Sequence, residues 1–98
     1  MDNQTTVIIA DNTEEFCNQL TAALKRANGF QVLATVSDGE QAIRLVNERK
    51  PDVLVLDLML AKQDGLSVLK AINSMEHPPV TLATSRFVTD YEIGRAHV

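Results

Sequence analysis

Pro51-Asp52-Val53-Leu54-Val55-Leu56-Asp57 is the stretch on which the fold turns. Val53 to Leu56 is apolar at every position rather than at alternate ones. A strand that is hydrophobic on both sides must be covered on both sides, and this is the mark of a central parallel strand. The run then ends on a carboxylate, Asp57, with no basic residue beside it.

Outward from this strand the chain alternates short apolar runs with amphipathic stretches. Val7-Ile8-Ile9-Ala10 is a β-branched run that stops at Asp11-Asn12. The spacing predicts a helix over Thr13 to Asn28, with Phe16, Leu20, Leu24 and Ala27 on its inner face. Cys17 falls off that stripe. Asn12 is placed to cap the helix with Glu15 completing a capping box, and Gly29 to close it. Phe30 to Val36 alternates, with Phe30, Val32, Ala34 and Val36 on one side, and reads as a second strand. Asp38 and Gln41 start a second helix, with Ala42, Ile43 and Val46 inward, and Pro51 stops it. A loop from Leu58 to Asp64 precedes a third helix that opens near Gly65 and carries Leu66, Leu69 and Ile72. Met59 and Met75 read as packing residues. His77-Pro78-Pro79 breaks that helix, and Val80 to Ala83 forms a fourth strand ending at Thr84-Ser85. Strand–helix repeated three times before a last strand implies right-handed crossovers, hence an α/β fold with a parallel sheet and helices on both faces.

Composition narrows the function. The chain has 98 residues, 45% of them hydrophobic and 22% charged, which suits one small globular domain. A net charge of −4 argues against this segment gripping a phosphate backbone itself. One cysteine excludes an internal disulfide framework or a cysteine metal cluster. No apolar run reaches the length of a membrane helix, and the polar start lacks a secretory layout. A cytoplasmic domain without membrane contact is expected.

Ligands of open parallel sheets gather beyond the carboxyl ends of the strands. Three such ends carry oxygen donors: Asp11 and Asn12, Asp57, and Thr84 and Ser85. If the first and third strands are neighbours, their carboxylates converge. A divalent cation with oxygen ligands is the natural charge compensation, and Mg2+ is usually held this way. That set suits phosphoryl transfer to a carboxylate, with a hydroxyl close enough to contact the phosphoryl group. Capping and turn formation compete with this reading at Asn12 and at Asp64-Gly65.

The block Pro51-Asp52-Val53-Leu54-Val55-Leu56-Asp57-Leu58-Met59-Leu60-Ala61-Lys62-Gln63-Asp64-Gly65 resembles the phosphoacceptor segment of bacterial response regulator receiver domains. Ile9-Ala10-Asp11-Asn12-Thr13-Glu14-Glu15 resembles that family's acidic pocket, and Thr84 its hydroxyl residue. The wording of both blocks is most similar to the stage 0 sporulation protein A group. The resemblance implies a flavodoxin-like sheet of strand order 2-1-3-4, with a fifth strand beyond it. It implies that Asp57 accepts a phosphoryl group in a phosphorelay and that Thr84 contacts it and switches. Mg2+ or another divalent cation would be held by Asp11, Asn12, Asp57 and the Met59 carbonyl. The donor would be a histidine kinase or phosphotransfer protein, DNA would be reached only through an effector domain, and the chain would not be a turnover enzyme.

Departures from the family pattern shape further expectations. Asn12 stands where the family more often has an acid, and Ala61 replaces a proline. Only fourteen residues follow Thr84, too few for the family's fifth strand and its lysine–proline pair. Residues 1–88 therefore read as a truncated receiver without its fifth strand and last helix, and 89–98 as a foreign tail similar to translated adapter sequence. A receiver-like interaction module that is never phosphorylated is the alternative. A haloacid-dehalogenase-like phosphatase would need an acid where Met59 stands. A nucleotide-binding domain would need a glycine-rich loop after Ala10, and the first glycine comes only at Gly29.

Overall fold

The computed structural model describes residues 3–60 and 65–85. Four strands, β1 (Thr5–Ala10), β2 (Phe30–Val36), β3 (Val53–Asp57) and β4 (Val80–Thr84), form one parallel sheet in the order β2-β1-β3-β4. The helices are α1 (Glu14–Ala27), α2 (Gly39–Arg49) and α3 (Gly65–Asn73). The chain first steps from β1 to β2 and then returns past β1 to β3. Right-handed crossovers in opposite directions put α1 on one face and α2 with α3 on the other. The reversal lies between β1 and β3, which makes that crevice the topological switch point. Residues 61–64 and 86–98, and so Ala61, Asp64 and the tail, lie outside the described residues.

Each face of the sheet has its own core. Ile8, Ala10, Leu54 and Leu56 pack under α2 and α3 against Ala42, Val46, Val68 and Ile72. Val7, Ile9 and Val55 pack under α1 against Cys17, Phe16, Leu20 and Leu24. Val53 to Leu56 thus supplies both cores by turns, as its unbroken apolar run requires. Asp38 caps α2, its Oδ1 accepting from the Gln41 N–H at 2.8 Å. The helix ends at Lys50 in the left-handed region, ahead of Pro51.

Several local expectations are overturned. The expected face of β2 is split: Val7 pairs with Val32 but Ile8 pairs with Ala34, so Leu33 is an extra residue. This bulge resets the alternation. Val32 joins the α1 core, whereas Leu33 and Val36 join the opposite one. Asn12 does not cap α1. The N-cap is Thr13, and the Asp11 carboxylate accepts from the Thr13 N–H at 2.8 Å, closing a turn that delays the helix by one residue. Asn28 shares the helix-ending turn with Gly29, both at positive φ. Cys17 is buried, since it lies one turn before Leu20 on the same face. In α3 the inward residues are Gly65, Val68 and Ile72, while Leu66 is exposed. Met59 is exposed as well, on the surface of the loop after β3.

Leu54 and Leu82 give a matched test of this layering, because both are strand leucines in neighbouring strands. Leu54 is fully buried and Leu82 is 54% exposed. Leu54→Ala is expected to cost about 2–5 kcal/mol, and Leu82→Ala to stay within about 0.5 kcal/mol. Urea unfolding of the two variants measures both.

Candidate phosphoacceptor site

The sheet register builds the site. Ala10 pairs with Leu56, so the next residues, Asp11 and Asp57, leave adjacent strands side by side. On its other side Asp57 pairs with Thr84. Asp11, Asp57 and Thr84 therefore form one row across three neighbouring strand ends, at the switch point. Asp11 extends its strand by one more bond, its N–H donating to the Val36 carbonyl at 2.9 Å.

Both carboxylates are buried, Asp11 at 3% and Asp57 at 4% exposure. Asp11 Oδ1 is engaged by the Thr13 N–H. Asp57 Oδ1 accepts from the Met59 N–H at 2.9 Å, which fixes the carboxylate plane and turns the Leu58–Met59 loop over it. The loop is further tied down where the Leu58 N–H donates to the Thr84 carbonyl at 2.8 Å and the Leu60 N–H to the Asp57 carbonyl at 3.2 Å. Thr84 Oγ1 donates to the Leu56 carbonyl at 3.5 Å, a long bond at the limit of usefulness. Such a hydroxyl reorients at little cost.

Asn12 is exposed on the rim, in a cleft also lined by Asp11, Glu14, Cys17 and Gln41. The residues singled out in the sequence, Asp11, Asn12, Asp57, Met59 and Thr84, thus meet at one end of the sheet. Sequence reasoning missed Leu58, whose peptide links β3 to β4. A hydrophobic residue in a loop offers no signal for a role carried by its main chain.

The side-chain donors here are all oxygen: two buried carboxylates on adjoining strand ends and an amide at the rim. That set fits a hard divalent cation. Among the described residues no group of three or more His, Cys, Asp or Glu side chains stands together as a metal cluster, so a cation here would rest on the paired carboxylates and water.

A family model for the response regulator receiver domain matches residues 7–95. The chain belongs to this family of two-component signalling domains. Over 89 residues it is 35% identical to the transcriptional regulatory protein PrrA of Mycobacterium tuberculosis, covering 90% of this chain and 37% of that one. It is 35% identical over 81 residues to the alkaline phosphatase synthesis transcriptional regulatory protein PhoP of Bacillus subtilis, covering 82% and 33%. A protein-glutamate methylesterase/protein-glutamine glutaminase of Nitratidesulfovibrio vulgaris is 31% identical over 84 residues, covering 86% and 23%. The chain therefore spans about a quarter to a third of the length of these relatives. The receiver domain of the response regulator NarL from Mycobacterium tuberculosis superposes with a TM-score of 0.79 at 29% identity, covering 85% of this chain and 67% of that one. Among the described residues no helix is long and apolar enough to cross a membrane.

Adjacent buried carboxylates repel, so removing one charge should stabilise the cation-free chain. Asp57→Asn keeps an oxygen for the Met59 N–H and is expected to gain about 1 kcal/mol in the absence of divalent ions. Thermal melts of parent and variant in chelator measure the difference, and an unchanged or lower Tm contradicts it.

Proposed function

We propose that this receiver accepts a phosphoryl group on Asp57 from a phosphohistidine donor and transmits the change through Thr84. The observation that carries this reading is the row Asp11–Asp57–Thr84 across three strand ends, with the central carboxylate buried and held by the Met59 N–H.

The Met59 N–H occupies Oδ1, leaving Oδ2 as the nucleophile. Its attack forms an O–P bond as the donor's N–P bond breaks, and the electron pair leaves on the imidazole nitrogen, which takes up a proton. Thr84 gives up its long bond to the Leu56 carbonyl and turns its hydroxyl to a phosphoryl oxygen. Because Thr84 ends β4, that rotation carries the chemical event into the surface beyond the strand. Asp11, Asn12, Asp57 and the Met59 carbonyl would hold Mg2+ or a similar cation. When bound, that cation would offset the negative charge gathering between the carboxylates and the incoming phosphoryl group.

The partners in this reading are a histidine kinase or phosphotransfer protein and an effector domain of the intact regulator. In this reading the truncated receiver is taken as residues 1–88, beside a family match that runs over 7–95, and Asp57 is the site of modification, not a group that catalyses turnover of a substrate. The two relatives named as transcriptional regulators support transcription as the output, and the reading places the domain in the cytoplasm. The likeness of the Ile9–Glu15 and Pro51–Gly65 blocks to the stage 0 sporulation protein A group is what supports sporulation as that output.

Incubation with phosphoramidate and Mg2+ is expected to add one phosphoryl mass, labile to hydroxylamine, and Asp57→Asn to remove most of it. Equal labelling of the variant would displace the site from Asp57. No labelling of the parent would favour an interaction module that is never phosphorylated.

Asn12 gives a separate test of the cation. Asn12→Asp should increase the Tm gain produced by Mg2+ and lower the Tm in chelator, because the added charge is compensated only when the cation is present. Equal Mg2+ stabilisation of parent and variant would remove Asn12 from the ligand set.

A further inference from the structure

Gly65 opens α3 without needing glycine's conformational freedom, since its φ is not positive. The helix-interior preference for alanine does not govern the first position of α3, so the reason for glycine here lies in its surroundings. Space supplies it. A Cβ at position 65 would lie 2.5 Å from the Leu58 Cα and 2.7 Å from its carbonyl carbon, and it would press on the Leu58 carbonyl oxygen too. These are main-chain atoms, which cannot swing aside as a side-chain tip does.

The Leu58 peptide is held on its other side as well. Its N–H donates to the Thr84 carbonyl, and the next N–H, of Met59, orients the Asp57 carboxylate. The first turn of α3, the loop after β3 and the end of β4 thus meet at one residue, Leu58, and the two peptide units that flank it.

We infer that Gly65 is a positioning residue for the Asp57 site: by lacking a side chain it seats α3 against the Leu58 main chain and thereby aims the Met59 N–H and carbonyl. The inference rests on the proposed phosphorylation of Asp57. A Cβ at 65 displaces the Leu58 peptide, which loosens the grip on Asp57 Oδ1 and the tie to Thr84 together.

The test compares Gly65→Ala with Gly29→Ala in the 98-residue chain. Gly29 sits at φ +82° with nothing near its missing Cβ, so its alanine variant is strained but touches nothing at the site. Phosphorylation by phosphoramidate with Mg2+ is followed by intact mass and expressed per folded molecule. Gly65→Ala is expected to lose about tenfold or more in maximal rate, as displacement of a reacting group does, with the Met59 amide resonance shifted. Gly29→Ala is expected to lose stability but keep the parental rate. A Gly65→Ala rate within about twofold of the parent overturns the inference.

Should Gly65→Ala not fold, the parent decides the matter by itself. Beryllofluoride with Mg2+ should shift the amide resonances of Leu58 and Gly65 along with that of Met59. A shift at Met59 alone overturns the inference. A parent that neither labels nor shifts overturns the phosphorylation reading, and this inference falls with it.

Discussion

Parallel pairing of β1 with β3 forces two carboxylates into adjoining buried positions, and the rest of the site answers to that constraint. Like charges brought side by side away from water disfavour one another unless positive charge joins them. Hydrophobic burial in the strands behind them holds the arrangement in place. Ile8, Ile9, Leu54 and Leu56 are all buried completely, and each contributes about 1.5–3 kcal/mol. A fold that spends apolar burial on bringing like charges together has built a place where added positive charge, or a change of charge, has large effects.

At the site both carboxylates are tied to the main chain beside them. Asp11 turns back on Thr13 and Asp57 on Met59, each carboxylate engaging the N–H two residues on. The same device recurs at two neighbouring strand ends. Thr84 differs. Among the described residues its hydroxyl makes one long bond, 3.5 Å to the Leu56 carbonyl. In the proposed function, a firmly held Asp57 beside a loosely held Thr84 hydroxyl would let local chemistry become a conformational difference.

At the opposite end of the sheet a second set of polar contacts keeps β1 and β3 in register. Asp52 Oδ2 accepts from both the Thr6 N–H and hydroxyl, at 2.9 and 3.1 Å, and the Asp52 N–H donates to Thr6 Oγ1 at 2.9 Å. A slip of one residue would turn the side chains of one strand to the wrong faces. The clamp at Thr6 and Asp52 thus helps to set which residues emerge together at the far end, where Asp11 meets Asp57.

Much of this was legible in the chain itself. The unbroken run Val53 to Leu56, the β-branched run Val7 to Ala10 and the intervening amphipathic stretches specify a parallel sheet with helices on both faces, because burial on two sides and burial on one leave different periodicities. The oxygen-bearing residues at three strand ends were equally plain, as was the cap at Asp38. Features that depend on one main chain meeting another were not. The bulge at Leu33 splits an alternation that looks continuous in sequence, since strand pairing sets the register and periodicity alone does not. Asn12 loses its cap position because the Asp11 carboxylate captures the Thr13 N–H first. Leu66 turns outward because Gly65, not Leu66, must face the Leu58 main chain. Local pattern records which side chains prefer burial; only the tertiary structure decides which peptide groups touch, since every residue but proline carries the same donor and acceptor.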